Sequence, residues 1–183
     1  MSVVHKFNLP RIIIDTCAWI TFLCYKAESK NLRKDALCSE PEEVASRVNA
    51  LIDGNGKDHI IVMPTVIYAE LLGIIRGKGR TPTSRLRLVN TTVDFLQSLD
   101  FIFMELDEET ALDAEIHIKS FELTGIDAAI LTSAAYFECR YVYTSDEKML
   151  KVGDQIPGVS VCLPPEPSTL IYQSFNTETT RTH

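Results

Sequence analysis

"RIIIDTCAWI", residues 11 to 20, decides the fold class. Its three successive isoleucines, residues 12 to 14, are β-branched and lack the polar alternation of a half-exposed strand. This run predicts a buried parallel strand with Asp15 at its carboxyl end. Ligands and catalytic groups collect at that edge in open α/β sheets. The alternative is that Asp15 only caps a helix that begins at Thr16.

Short apolar runs alternate with helical periods along the rest of the chain. Further strands are predicted in "HIIVMP" (59–64), "FIFMEL" (101–106), "YVYTS" (141–145) and "VSVCL" (159–163). Helices are predicted at 16–25, from 41 to 52, at 65–77 with Gly77 as a C-terminal cap, over 86–96, at 107–121 and at 125–138. In the helix over 107–121, we expect Ala111, Ala114, Ile118 and Phe121 on one buried face. This alternation predicts an α/β fold of three layers, αβα, with a roughly five-stranded parallel sheet.

The length of 183 residues suggests a single domain. We expect that domain to span residues 1–163. Residues 26–40 are polar and mixed in charge, and we interpret them as an insertion. Residues 164–183 have lost the periodicity and read as a C-terminal extension with a flexible end.

Charge and cysteine content narrow the class of protein. The formal net charge of -7 argues against a protein that coats nucleic acid through bulk charge, but not against an enzyme that binds a phosphodiester through metal ions and one basic patch. The five cysteines form no C-x-x-C pair, which favours the reducing cytoplasm. Neither a signal peptide nor an apolar stretch of membrane-spanning length is evident, so we expect a cytoplasmic protein with no membrane partner.

Four acidic residues stand at positions that favour chemistry. Asp15 and Asp146 follow predicted strands, and Asp127 lies in the first turn of a very apolar helix. Glu70 lies within "VIYAELLGII", with Val66, Ile67, Gly73 and Ile74 three and four positions away. Burying an unpaired carboxylate is costly, so acids in such settings are normally paired, hydrogen-bonded or bound to metal.

Each acid also has a structural interpretation. Asp127 could be only a favourable acid at a helix N-terminus, and Asp146 a turn or cap residue. Glu70 could lie on a solvated stripe, although its neighbours on the helix argue against this. The combination carries more weight than any single residue. Four converging carboxylates suit Mg²⁺ or Mn²⁺, which can activate water for attack on a phosphodiester.

The order and setting of these acids resemble the PIN-domain family of nucleases, including the VapC-type toxins. The resemblance rests on "IIIDTCAW", "MPTVIYAELLG", "TGIDAAILTSAA" and "YVYTSDEKM", and it covers roughly residues 10 to 163. It implies that Asp15, Glu70, Asp127 and Asp146 form the catalytic, metal-binding quartet. It also implies that Thr16 and Thr144 are supporting hydroxyls. The family often has Ser or Asn after Asp-Thr, where this chain has Cys17.

The resemblance further implies a function and partners. A PIN-like fold implies a metal-dependent endoribonuclease that hydrolyses single-stranded RNA. The toxins of this family belong to type II toxin–antitoxin pairs, which implies an antitoxin partner, and homodimers are common.

A basic cluster follows the helix that carries Glu70. Arg76, Lys78, Arg80, Arg85 and Arg87 lie within twelve positions (87 − 76 + 1). Because the protein is acidic overall, this segment with its local excess of positive charge is the best candidate for contacts with RNA phosphates. The alternative is a solvated loop followed by the outer face of the next helix.

Two other functions compete with the nuclease. A PIN-like scaffold could bind RNA or protein without cutting it, although the intact quartet argues against this. A phosphatase of the haloacid-dehalogenase type also begins with an aspartate after a strand. That chemistry requires a second acid two residues later, where this chain has Cys17.

Overall fold

The computed structural model describes residues 9–26 and 40–166. Its sheet has five strands in the order β3-β2-β1-β4-β5, and every neighbouring pair is parallel. The strands are β1 (Arg11–Ile14), β2 (Ile60–Pro64), β3 (Ile102–Met104), β4 (Cys139–Tyr143) and β5 (Ser160–Cys162). The predicted parallel sheet of five strands is therefore confirmed.

Helices connect the strands and cover the sheet. In the described chain they are α1 (Thr16–Lys26), α2 (Pro41–Gly54), α3 (Thr65–Lys78), α4 (Pro82–Gln97), α5 (Glu108–Phe121), α6 (Gly125–Tyr136) and α7 (Glu147–Leu150). Crossovers between parallel strands are right-handed in nearly all proteins. The strand order therefore puts the connections from β1 to β3 on one face and those from β3 to β5 on the other, which gives the predicted αβα layers.

The strand order reverses direction between β1 and β4. From β1 the chain moves outward to β2 and β3, then returns to the other side of β1 for β4 and β5. The carboxyl ends of β1 and β4 therefore meet at a topological switch point, where open α/β sheets form their ligand crevice. Asp15 directly follows β1, and Thr144 directly follows β4.

The core explains why the first strand is so apolar. Ile12, Ile13 and Ile14 are at most 2% exposed, and Trp19 is fully buried between the rings of Phe22 and Phe101. Burying each such side chain contributes roughly 1.5–3 kcal/mol. The strand and the helix that carry Asp15 are thus held rigidly by packing.

The connection between α3 and α4 is shorter than predicted. Helix α3 runs to Lys78 and ends at Gly79, so the prediction of Gly77 as the cap is wrong. A Cβ on Gly79 would lie 2.6 Å from the backbone nitrogen of Arg85, so the close approach of α4 requires glycine there. A side chain at Gly77 would meet nothing within 4 Å. The sequence shows both glycines but not the contact that distinguishes them.

The predicted buried face of α5 is only partly correct. Ala114 is buried, but Ala111 is exposed and Ile118 is 39% exposed. Helix α5 packs mainly against α6 along a narrower line than the predicted stripe, since only Thr110 and Ala114 are buried.

The predicted insertion and extension lie largely outside the described residues. Lys26 is the last residue of α1 and Glu40 precedes α2, while residues 27–39 fall outside the described chain. Residues 164–166 are described and 167–183 are not. The single domain over 1–163 stays a prediction. No described helix has the length and apolar character needed to cross a membrane.

Candidate active site at the carboxyl edge of the sheet

Asp15 occupies the turn between β1 and α1, where it is 3% exposed. It accepts hydrogen bonds from the Thr16 N–H at 2.6 Å, the Cys17 thiol at 2.9 Å and the Thr144 hydroxyl at 2.8 Å. Burial raises the pKa of this carboxyl, the three hydrogen bonds lower it, and the nearby charge of Asp127 raises it further. The net pKa is raised, so this position holds a negative charge at an energetic cost.

Glu70 joins this cluster through a hydroxyl. It lies half-buried in the second turn of α3, and its Oε2 accepts a 2.6 Å hydrogen bond from Thr16 Oγ1. Since the Thr16 backbone N–H bonds to Asp15, this one threonine connects both carboxylates. This contact argues against the alternative in which Glu70 lies on a solvated stripe of the helix.

Asp146 joins from the other side of the switch point. Its backbone N–H donates to Thr144 Oγ1 at 2.9 Å, and the same hydroxyl donates to Asp15. Its Oδ1 accepts hydrogen bonds from the N–H groups of Lys148 and Met149. Asp146 therefore also caps α7, which is the structural alternative that the sequence offered for it. Capping uses one carboxylate oxygen and leaves Oδ2 available to a ligand.

Asp127 lies in the first turn of α6, half-buried. Thr124 is the N-cap residue: its hydroxyl accepts from the Asp127 N–H at 3.2 Å and donates to Asp127 Oδ2 at 2.7 Å. This reciprocal cap fixes the side chain. Helices α3 and α6 pack against each other, which brings the helix of Asp127 beside the helix of Glu70.

Cys17 connects the two halves of this edge. Its thiol donates to Asp15, and its sulfur accepts hydrogen bonds from Ser145 N and Ser145 Oγ, both at 3.2 Å. The sulfur also lies 3.2 Å from Thr144 Oγ1. Burial, together with the charge of Asp15, raises the pKa of the Cys17 thiol to about 12. The group is therefore a neutral thiol at physiological pH.

The structure links three of the four predicted acids in one string of hydrogen bonds. The string runs Glu70, Thr16, Asp15, Thr144, Asp146, and Asp127 lies close enough to act on Asp15 through its charge. Within residues 9–26 and 40–166, none of the four carboxylates forms an ion pair.

These donors fit a hard divalent cation by their chemistry. They are all oxygens, they carry several negative charges, and the buried one lacks a positive partner in the described chain. Their side chains are not gathered around one point: over the described ranges, no three His, Cys, Asp or Glu residues form a group that could hold a metal ion.

The basic cluster lies toward the other end of α3. A helix rises about 1.5 Å per residue, which puts Lys78 about 12 Å further along the axis than Glu70. Arg80 lies in the short connection, and Arg85 and Arg87 lie in the first turns of α4. Arg76, Arg80, Arg85 and Arg87 are exposed, and Arg85 Nε donates to the carbonyl of Gly79.

Two of the cavities lined by the described residues are formed by different helices. The larger, about 460 Å³, is mostly apolar and is formed by α1 to α4, with Lys26 at its wall. Its residues on α1, from Phe22 to Lys26, lie about 9–15 Å along the helix from Thr16, so this cavity lies away from Asp15. The smaller, about 220 Å³, is lined by Phe121, Glu122, Lys148, Lys151 and Val152.

Several residues of this edge were not singled out from the sequence. Ser145 was visible inside "TSD" and Thr124 inside "TGID", but neither type is distinctive alone. Lys148 and Lys151 follow Asp146 closely, but only the fold brings them against Phe121 to form a cavity.

Comparison with known proteins agrees with this fold. The family model described as the PIN domain matches residues 12–155. VapC20 of Mycobacterium tuberculosis, a sarcin-ricin-loop-cleaving toxin, superposes with a TM-score of 0.53 at 14% identity, over 74% of this chain and 90% of that chain. VapBC2 from Rickettsia felis, bound to a DNA fragment from its promoter, superposes with a TM-score of 0.50 at 12% identity, over 82% of this chain and 96% of that chain. No curated protein matches the chain in sequence.

Proposed function

Because the chain belongs to the PIN-domain family, we propose that it is a divalent-metal-dependent endoribonuclease that hydrolyses phosphodiester bonds of single-stranded RNA. One observation carries the proposal. A buried carboxylate with a raised pKa, that of Asp15, lies between two further acids: the backbone N–H and hydroxyl of Thr16 bridge it to Glu70, and the Thr144 hydroxyl bridges it to the backbone N–H of Asp146. Such a costly arrangement is typical of a functional site.

Asp15, Glu70, Asp127 and Asp146 would hold the cation, Mg²⁺ or Mn²⁺. When bound, it supplies the positive charge that lets an acidic edge accept a phosphodiester and the Lewis acidity that activates water. The side chains of this chain position the oxygens. Thr16 orients Glu70, Thr144 orients Asp15, and Thr124 orients Asp127. The Cys17 thiol donates to Asp15 and so favours its ionised form.

Cleavage of a labelled single-stranded RNA tests the proposal. We expect Mn²⁺ or Mg²⁺ to support cutting, EDTA to abolish it, and Asp15→Asn to lose most of the activity while the fold is kept. Asp94→Asn is the matched control, because it removes an exposed carboxylate on α4. A parent chain that never cuts RNA in either metal, or an Asp15→Asn variant that cuts like the parent, would exclude the nuclease.

A scaffold that binds RNA or protein without cutting is the second candidate. One observation favours it: in the described chain, no three His, Cys, Asp or Glu side chains lie close enough together to hold a metal ion. Thermal melting separates the two functions. A nuclease of the proposed kind melts higher in Mn²⁺, and a scaffold without a metal site melts identically with and without it. The haloacid-dehalogenase alternative lacks its second acid, since Cys17 stands there.

We also propose an antitoxin partner and a homodimer. The fold shared with VapC20, a toxin, and with VapBC2 supports the first. A short neighbouring gene for a DNA-binding protein, whose product co-purifies with this chain and blocks cleavage, is the expected result. Two exposed apolar side chains on α5, Leu112 at 63% and Ile116 at 62%, support the second. Light scattering of the purified protein measures the mass.

A further inference from the structure

We propose that the 220 Å³ cavity between the C-terminal end of α5 and helix α7 binds one nucleotide of the RNA strand beside the cleavage site. Lys148 and Lys151 would contact its phosphate, and Phe121 would stack on its base. The inference rests on the proposed function and names a part of the substrate site that the four acids do not supply.

The position of the cavity is the first argument. Lys148 lies two residues after Asp146, whose Oδ1 accepts its backbone N–H at 2.8 Å. Glu122, on the opposite wall, lies two residues before Thr124, whose hydroxyl holds Asp127. The two walls of the cavity are therefore continuous with two of the four proposed ligands. We therefore expect a strand bound across Asp127 and Asp146 to reach this cavity.

The charge of the cavity is the second argument. Lys148 and Lys151 are exposed, are spaced three residues apart, and have no side-chain partner in the part of the chain that the structure describes. Glu122 is the one acid in the lining, so the lining has an excess of one positive charge. At an edge that carries four carboxylates, these two lysines lie where a phosphate needs a counter-charge.

The aromatic wall is the third argument. The Phe121 ring lines the cavity and is backed by the His117 ring, with centroids 5.9 Å apart and an angle of 18° between the planes. His117 thereby holds Phe121 in place. Proteins that bind single-stranded nucleic acid stack its bases on such rings and bind its backbone through lysine and arginine. The volume is below that of sites for drug-sized ligands, about 300–1,000 Å³, so the cavity would hold one nucleotide at most.

Binding of a short single-stranded RNA by fluorescence anisotropy tests the inference. The measurements use Asp15→Asn throughout, so that the RNA is not cut. We expect Lys148→Ala/Lys151→Ala to weaken binding about tenfold and to lower the salt slope by about 0.7, the value for one phosphate contact on a single strand. Phe121→Leu should weaken binding without changing the slope. Lys57→Ala/Arg140→Ala is the charge-matched control at the other edge of the sheet and should change neither.

The outcomes separate this inference from the nuclease. An unchanged affinity and slope in the lysine variant, while the parent cuts RNA, overturns the nucleotide site and leaves the nuclease intact. If the salt slope of RNA binding depends on the lysines but the parent protein never cuts RNA, the nucleotide site is supported and the nuclease is excluded. An equal loss of slope in the Lys57→Ala/Arg140→Ala control also overturns it, because bulk charge then accounts for binding. Both lysines are exposed, so circular dichroism should show a folded variant.

Discussion

The buried position of Asp15 disfavours the ionised form of its carboxyl group. Because burial raises its pKa, the native state holds a proton that the unfolded chain releases at about pH 3.9. The stability of the metal-free protein therefore falls as the pH rises through the native pKa. Above the native pKa the cost is present in full, and below the unfolded pKa it is absent.

Asp15→Asn removes this cost. We expect the metal-free variant to melt above the parent at neutral pH, by about 2–4 °C for each 1 kcal/mol relieved in a chain of this size. The difference should shrink as the pH falls below the native pKa and vanish below about pH 3, where the carboxyl is protonated in the unfolded state as well. Melting curves from about pH 3 to 8 in EDTA measure it. A variant that melts below the parent at every pH would show that the hydrogen bonds of Asp15 outweigh its charge.

Cys17 acts on the same carboxylate as a donor and on Ser145 as an acceptor. Cys17→Ser keeps both roles, and Cys17→Ala removes both and leaves the Ser145 N–H without this acceptor. We expect Ala to lower the free energy of unfolding by about 1–2 kcal/mol and to reduce cleavage, with Ser near the parent in both. Urea titration and RNA cleavage measure the two effects. Equal behaviour of the Ala and Ser variants would contradict this role of the thiol.

Helix α6 ends with a residue in an unfavourable backbone conformation. Glu138, just after the helix, has φ 51°, in the left-handed region that suits glycine. Glu138→Gly should raise the free energy of unfolding by about 0.5–1 kcal/mol, since the gain of about 1–2 kcal/mol exceeds the greater chain entropy of glycine. Denaturant midpoints measure it. Glu138→Ala is the control: it removes the charge but keeps the Cβ, so it should give no such gain.

The connection between α3 and α4 carries the basic cluster. We expect Arg80→Ala/Arg85→Ala to bind single-stranded RNA more weakly, with a salt slope lower by about 0.7 per lost contact, while metal binding persists. The same anisotropy titration applies, with Mn²⁺-induced melting shifts as the measure of metal binding. An unchanged slope would assign the phosphate contacts to other parts of the chain.

The elements show where sequence reasoning succeeds. Apolar runs located all five strands to within about three residues. Strands β1 and β2 are almost entirely buried and therefore leave an unbroken apolar pattern. The edge strand β3 keeps an apolar run although Ile102 and Phe103 are exposed. The acids at strand ends and helix starts followed from this. The sequence did not reveal the turn at Gly79, the exposed face of α5 or the cavity of Lys148 and Phe121. Each of these depends on a contact between distant segments, which local periodicity does not encode.

At the scale of the whole molecule, metal binding and folding are linked. A cation that binds the native protein alone stabilises it by about 2.7 kcal/mol at a concentration one hundred times its dissociation constant. We expect saturating Mn²⁺ to raise the melting temperature of the parent by roughly 5–10 °C and that of Asp15→Asn much less. Scanning fluorimetry over a Mn²⁺ series measures both. An equal shift in the two proteins would assign the binding to another site.

The pairing of β1 with β4 also sets when the protein can act. The hydrogen bond from Thr144 to Asp15 joins residues 129 positions apart, and β4 is translated after α6. A nascent chain that ends before β4 already carries Asp15 and Glu70, but it has neither Asp146 nor the strand that completes the crevice. On the proposed function, the growing polypeptide is inert toward its own messenger RNA until β4 and Asp146 have been translated, and products that terminate before β4 lack the complete crevice.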